Sequence, residues 1–314
     1  MLFVYLFFFA KQVKEFLFIN QVPADFANIN TIFLSIVMEA IPFILLGVFA
    51  SALIQSFISE KTLQRMLPKH AFLAMLPAAL LGIIFPICEC AIIPVVRRLI
   101  KKGLPLHVGI VILVTVPILN PVVFLSTYFA FPHNAPVLYY RMGLAFLAAM
   151  LIGSAIYFIF KDKNIVKDSP LSHHHHTHQR NRWIQTLHHA SEEFFDTGKY
   201  LIIGSFIASL FQTYLNRDIL VSIGTNDSIA PAVMMGFAYV LSLCSEADAF
   251  VASSFSSTFT TGSLIAFLVL GPMIDLKNTL MLFAYFRKRF VIAFLFLIFS
   301  IVYGLVWILQ AFVL

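Results

Sequence analysis

Long apolar stretches separated by short polar interruptions make up most of the chain. Eight of them follow the N-terminal region, at residues 31–58, 71–96, 104–131, 137–160, 199–215, 229–257, 263–286 and 290–313. Most reach about 20 residues, the helical length that crosses a bilayer core of about 30 Å. Backbone groups in lipid must be hydrogen-bonded within the protein, and the alternating pattern of a β-barrel is absent. The pattern predicts an all-α integral membrane protein with about eight hydrophobic segments.

Two regions do not fit this pattern. Near the N-terminus, Lys11, Lys14 and Glu15 interrupt the apolar run. We interpret this region as an anchoring or interfacial helix; the alternative is a signal peptide, but no small-residue cleavage site follows the run. A polar, histidine-rich stretch separates the apolar segments into two groups. The predicted organisation has four parts: an N-terminal anchoring segment at 1–30, a first membrane repeat at 31–160, a cytoplasmic His-rich linker at 161–198 and a second membrane repeat at 199–314.

The two membrane regions weakly repeat each other in sequence. Residues 39–55 align without gaps with residues 196–212, at an offset of 157 (196 minus 39). The spacing recurs further on: Glu89 with Glu246 at 157, and Asn120 with Asp275 at 155. Chance similarity between two apolar stretches is the alternative. Because order and spacing persist over most of each half, we favour a true repeat.

Basic loops orient the segments, since Lys and Arg accumulate on the cytoplasmic side. Basic groups at 61–69 and 97–102 flank segment 71–96, and a single crossing would place them on opposite sides. A re-entrant hairpin broken near Pro86 removes the conflict. With three spans and one hairpin in each half, the repeats are inverted, with broken helices near the midplane, as in many transporters. Eight plain spans are the alternative, which makes the repeats parallel and leaves a strongly basic loop outside.

Composition excludes a soluble protein. The chain is 60% hydrophobic and only 11% charged, with a mean hydropathy of +0.91, whereas soluble domains carry roughly 25% charged residues. The formal net charge of +6 is explained by cytoplasmic loops, so no nucleic-acid partner is expected. The sequence has no P-loop, nucleophile elbow or zinc-protease motif, so neither an enzyme nor a bound cofactor is predicted.

Acidic residues inside apolar segments are rare, because an Asp in the middle of a spanning helix costs about 2.5–3.5 kcal/mol. Here they cluster at matched interruptions of the two halves, together with all three cysteines. The predicted substrate- or ion-binding residues are Cys88, Glu89, Cys90, Asn120, Cys244, Ser245, Glu246, Asp248 and Asp275. Carboxylates would bind a cation or carry protons, and thiolates would bind a thiophilic solute. The alternatives are structural: single hydrogen bonds for the acids, and apolar packing or a disulfide between the halves for the cysteines.

A histidine tract in the predicted linker is a second candidate for metal binding. It consists of His173, His174, His175, His176 and His178. Such a tract can collect zinc or copper, and the alternative is a polar linker without metal.

The motifs at the interruptions, taken together, resemble a known family. Those motifs are residues 86–94, 97–98, 102–105, 117–123, 244–250 and 271–275. They are similar to motifs of the ArsP/YraQ family of predicted permeases, and most of all to its YcgR branch in bacilli, over residues 31–313. The resemblance implies a multi-pass permease of the plasma membrane, usually assigned eight spans. In many systems of this branch it also implies a small companion membrane protein.

The substrate does not follow from the resemblance. ArsP members export trivalent organoarsenicals, which are thiophilic, but Glu89 stands here between two cysteines where members usually have a small residue. We expect a permease of the secondary-transporter type that moves a thiophilic or cationic small solute, such as a metal ion or organometalloid, through a midplane Cys/Glu/Asp site. The alternative is a non-transporting subunit or scaffold of a two-component permease complex. The residues leave the direction and the oligomeric state open, a homo-oligomer included.

Overall fold

The computed structural model describes residues 24–57, 70–84, 87–160, 165–167, 182–214 and 229–313. Within these ranges regular structure is helical, apart from one isolated antiparallel bridge between Val166 and Phe286. The helices described there are α1 Ala24–Phe57, α2 Ala71–Ile84, α3 Glu89–Lys101, α4 Leu106–Thr115, α5 Pro121–Ala130, α6 Ala135–Phe160, α7 Arg182–Tyr214, α8 Ala230–Leu241, α9 Ser245–Ser254, α10 Thr261–Met273, α11 Leu276–Tyr285 and α12 Lys288–Phe312. The predicted all-α class is confirmed.

Five helical stretches in the described residues are long and apolar enough to cross a bilayer. They are Asp25–Ile54, Ala135–Phe160, Ala190–Tyr214, Thr261–Tyr285 and Lys288–Phe312. Their outer faces expose large apolar side chains such as Phe158 and Phe296, which lipid can cover. The stretch formed by α10 and α11 differs because it is buried along most of its length. The chain is therefore a multi-pass membrane protein with α10 at its centre, packed against α4, α6, α8, α9 and α12.

Four of the predicted apolar segments are each divided into two helices. The divisions separate α2 from α3, α4 from α5, α8 from α9, and α10 from α11. Pro121 begins α5 because proline lacks the N–H that an earlier turn would need. Ser242 ends α8 in the left-handed conformation, with φ at 50°. The N-cap positions of the second helices are occupied by Cys88, Asn120, Cys244 and Asp275, so every interruption noted in the sequence coincides with a helix start. Asn120 and Asp275 accept a capping hydrogen bond there, whereas the two cysteines make none.

The long first helices of the two halves, α1 and α7, pack against each other in opposite directions. The ring centroids of Phe33 and Phe206 lie 6.1 Å apart toward one end of the pair. Toward the other end, the hydroxyl of Ser51 donates to Glu193 at 2.9 Å. Residue numbers therefore rise along α1 while they fall along α7, which makes the two helices antiparallel.

Segments that the charge pattern predicts to be cytoplasmic meet at one end of the structure. The Arg98 guanidinium pairs with Glu193 at 3.1 Å, and the Arg97 guanidinium lies 4.4 Å from the ring centroid of Tyr285. The backbone N–H of Lys167 donates to the Tyr285 carbonyl at 2.8 Å. We call this the basic end, defined by the C-terminal part of α3, residues 165–167, and the N-terminal parts of α7 and α12.

The contact between α1 and α3 depends on a residue without a side chain. A Cβ atom at Gly47 would lie 2.5 Å from the Ala91 carbonyl oxygen, closer than real Cβ contacts allow. Because Ala91 belongs to the first turn of α3, Gly47 determines how near that turn lies to α1.

We expect Gly47→Ala to lower the thermal stability of the detergent-purified protein. The added methyl group must displace the α3 backbone, and overpacking of this kind typically costs about 1–3 kcal/mol. Gly143→Ala is the matched control, because a Cβ there meets no atom within 4 Å. Equal melting temperatures for the two variants would contradict the close α1–α3 contact.

Candidate functional site

A buried lysine lies at the centre of the predicted site. Lys277 is 2% exposed, and its ammonium donates to Glu89 Oε1 at 3.2 Å and to Asp275 Oδ2 at 2.5 Å. A third hydrogen bond, of 2.9 Å, goes to the carbonyl of Ser242. Glu89 belongs to the first half of the chain and the other three residues to the second. The ammonium therefore connects the two halves inside the protein.

The charges in this cluster do not balance when both acids are ionised. One ammonium then faces two carboxylates, all three groups being almost completely buried. Buried ions need partners, because the loss of hydration is offset only by close, well-oriented opposite charges. Glu89 Oε2 has no hydrogen-bond partner. The cluster thus keeps one acceptor oxygen that a proton or a cation can take.

Three thiols lie beside the lysine around a small cavity. The cavity is lined by Ile36, Glu39, Ala40, Phe43, Cys88, Cys90, Ser242, Cys244 and Lys277. All three cysteines are buried and free, so the structure contains none of the disulfides considered from sequence. Glu39 is exposed at the margin of the cavity. Soft sulfur donors and a hard carboxylate cluster are therefore next to each other.

Two of the predicted residues cap helices. The Asn120 side-chain oxygen accepts from the Val123 backbone N–H at 2.9 Å, and its amide donates to backbone carbonyls at 3.3 Å. Asp275 Oδ1 accepts from the Asn278 N–H at 2.6 Å while Oδ2 binds Lys277. Asn120 thus uses its hydrogen bonds within its own segment, whereas Asp275 both caps α11 and neutralises the lysine.

A second buried cation occupies the contact between α6 and α9. Arg141 is fully buried, donates to the Thr127 hydroxyl at 2.6 Å and donates to the Ser245 carbonyl at 3.1 Å. Glu246 and Asp248 belong to the same first turn of α9 as Ser245. Asp248 is buried and its Oδ2 has no partner. This second cluster again joins the two halves of the chain.

The predicted site residues thus fall into two groups. Those around Lys277 and the cavity are Cys88, Glu89, Cys90, Cys244 and Asp275, and those near Arg141 are Ser245, Glu246 and Asp248. Asn120 caps α5. Within the described residues no group of three or more His, Cys, Asp or Glu side chains is arranged to hold a metal ion. The predicted metal-binding tract, His173, His174, His175, His176 and His178, lies outside the described residues.

Comparison with known proteins decides the family. The family model described as "Predicted permease" (ArsP_1) matches residues 25–310. The chain belongs to this permease family. It is 53% identical over 273 residues to UPF0718 protein YcgR of Bacillus subtilis (strain 168), covering 85% of this chain and 92% of that protein.

A second relative adds a hint of assembly. The chain is 40% identical over 279 residues to a protein of Streptococcus mutans serotype c (strain ATCC 700610 / UA159), covering 88% of this chain and 92% of that one. That relative is named as a subunit of a two-component membrane permease complex. No solved structure matches the chain at a significant level.

Sequence reasoning missed two buried cations of this family member. Lys277 and Arg141 lie within the apolar segments 263–286 and 137–160, where a basic residue is as costly as an acid. Both were overlooked because positive charges were counted only in the loops between apolar segments. The available signal was a cation inside a segment otherwise free of basic residues, and in the case of Lys277 only two residues from Asp275.

We expect Lys277→Met to destabilise the purified protein by about 3–5 kcal/mol, since two carboxylates would remain buried without their cation. Replacing the whole cluster, with Lys277→Met, Glu89→Gln and Asp275→Asn together, should recover most of this loss. Asn at position 275 retains the helix cap. The measurement is thermal unfolding in detergent. A single variant as stable as the wild type would contradict the assigned pairing.

Proposed function

We propose that this chain is a permease of the secondary-transporter type. It moves a thiophilic or cationic small solute, such as a metal ion or organometalloid, through the cavity between its halves. The observation that carries the proposal is the buried Lys277–Glu89–Asp275 cluster beside three free thiols. Ionisable groups at membrane depth are costly and are typical of substrate and ion pathways.

The arrangement of the halves supports this function. Helices α1 and α7 carry the aligned segments of the predicted repeat, at an offset of 157, and they run antiparallel. Helices α5 and α11 begin at Pro121 and Leu276, an offset of 155 (276 minus 121). Antiparallel packing of matched helices is the geometry expected of inverted repeats. Such repeats place the substrate site between them and allow alternating access.

The chemistry of the cluster suggests how binding and release are coupled. Lys277 acts as a resident counter-ion that holds Glu89 while the site is empty. A cation or a proton that binds Glu89 neutralises its carboxylate and weakens the bond between that carboxylate and the ammonium. The neighbouring thiols provide soft ligands, which favour thiophilic solutes over sodium or magnesium. Glu39 and Glu246, both more exposed, would raise the local concentration of cations.

The second candidate function is that of a non-transporting subunit. The name of the Streptococcus mutans relative favours it, because a complex of two proteins divides the work of transport between them. Flux through proteoliposomes that contain this chain alone would decide against it. Flux only after a companion membrane protein is added would support it.

We expect Glu89→Gln to abolish uptake of Cd²⁺ into proteoliposomes while the protein still inserts and purifies in normal yield. The neutral amide cannot bind and release a proton, and it cannot balance the charge of a bound cation. Phenylarsenite uptake, measured in parallel, distinguishes an organometalloid from a metal ion as substrate. A deletion strain screened for accumulation of the same solutes gives the matching test in cells.

The matched control is Glu192→Gln, the same chemical change on α7 at a residue that belongs neither to the Lys277 cluster nor to the cavity lining. Glu246→Gln tests the second cluster in the same assay. Normal flux in both Glu89→Gln and Glu246→Gln would overturn the site assignment. A wild-type chain that moves neither solute, with or without a companion protein, would overturn these two solutes as substrates.

A further inference from the structure

A third buried ion cluster lies at the basic end, away from the cavity. Glu193 is 5% exposed, and its Oε2 accepts from the Ser51 hydroxyl at 2.9 Å. The same oxygen accepts from Arg98 Nε at 3.3 Å and Nη2 at 3.1 Å. Ser51, Arg98 and Glu193 belong to α1, α3 and α7, respectively. One carboxylate therefore holds together three helices from both halves of the chain.

An aromatic contact reinforces this closure. The Arg97 guanidinium stacks on the Tyr285 ring at 4.4 Å, and the Tyr285 hydroxyl bonds to the Thr197 hydroxyl at 2.5 Å. These contacts join α11 to α3 and α7. Along α3, Arg98 follows Glu89 by nine residues (98 minus 89), about 13 Å at 1.5 Å per residue. The closure thus lies roughly 13 Å from the charged cluster, along two of the helices that carry it.

The positions that the predicted repeat pairs with these residues are apolar. At the offset of 157, the counterparts of Glu193 and Thr197 are Ile36 and Ala40, and both line the cavity. Ser51 and Arg98 correspond to Ala208 and Phe255. In a pair of inverted repeats, matched positions lie at opposite ends of the pathway. The positions that form ion pairs at the basic end are therefore apolar at the other end, beside the exposed Glu39.

We propose that Ser51, Arg98 and Glu193 form the gate that closes the basic, cytoplasmic end of the transport pathway. The gate is shut in the structure, because Arg98 and Glu193 are paired, and the exposed Glu39 borders the cavity away from this gate. Opening toward the cytoplasm requires Arg98 to separate from Glu193, a repacking of ion pairs of the kind that accompanies many switching transitions. The inference rests on the proposed transport function and identifies the residues that control its access.

The test measures from which side the three native cysteines can be reached. A small membrane-impermeant thiosulfonate is applied to the full chain in right-side-out and in inside-out membrane vesicles. In the wild type, labelling comes from the outer side. Glu193→Gln replaces the charged acceptor of the Arg98 guanidinium by a neutral amide. This weakens the contact, because hydrogen bonds between two charged groups are about twice as strong as neutral ones. Labelling from the cytoplasmic side is then expected to become about tenfold faster.

Two further variants make the outcome specific. Lys199→Gln removes an exposed charge from the same helix and should leave labelling unchanged. Exchange of the pair, with Arg98→Glu and Glu193→Arg together, should restore slow cytoplasmic labelling. Only protein that elutes as a monodisperse peak after labelling is counted. If Glu193→Gln yields no such protein, the exchanged pair and Arg98→Gln decide the outcome instead.

Three results would overturn the gate: unchanged labelling in Glu193→Gln, equal acceleration in Lys199→Gln, or fast cytoplasmic labelling that persists in the exchanged pair. The readout does not depend on solute movement, so the two proposals can fail separately. If labelling follows the expected pattern but neither Cd²⁺ nor phenylarsenite moves, these two solutes are rejected as substrates and the gate assignment stands. Normal flux with unchanged labelling leaves the transport function and removes the gate.

Discussion

The buried ammonium of Lys277 imposes the constraint on which the centre of the structure depends. Its side chain is 2% exposed, so its hydrogen-bond acceptors come mainly from the protein. It obtains them from Glu89 on α3, from the end of α8 and from Asp275 at the start of α11. These elements cannot separate without exposing a charge to apolar surroundings. The positions of α3, α8 and α11 around the cavity follow from this requirement.

The same requirement recurs at Arg141 and Glu193, and each of these charged groups connects the two halves of the chain. In lipid, apolar side chains gain little by exchanging lipid neighbours for protein neighbours, so close backbone contact and polar bonds have more influence. Gly47 and Gly204, which are 157 residues apart, provide such contact. A Cβ at Gly204 would lie 3.0 Å from the Cα of Lys277. Small residues thus bring the helices together where the charges bind.

The chain belongs to a permease family, and its unusual side chains lie where its two halves meet. Three thiols, the Glu39 carboxylate and the Lys277 ammonium line one cavity near the starts of α3 and α9, and Glu89 and Asp275 bind the same ammonium. Helix starts carry a partial positive charge, which lowers the cost of placing Glu89 in the first turn of α3. The proposed gate is a separate ion cluster at the basic end. In these two proposals, binding and access depend on different side chains, and α3 carries residues of both clusters.

The membrane class, the helical content, the positions of the interruptions and the family could all be predicted from the residues alone. Hydropathy, proline and helix capping act within a few neighbouring residues, so they can be read locally. The sequence also singled out Glu89, Cys88, Cys90 and Cys244 as chemically unusual. Which interruptions lie next to each other could not be predicted and became visible in the folded protein. Lys277 is 188 residues from Glu89 along the chain, and Ser51 is 142 residues from Glu193. A buried charge takes whichever partner packing brings near, and separation along the chain does not limit that choice.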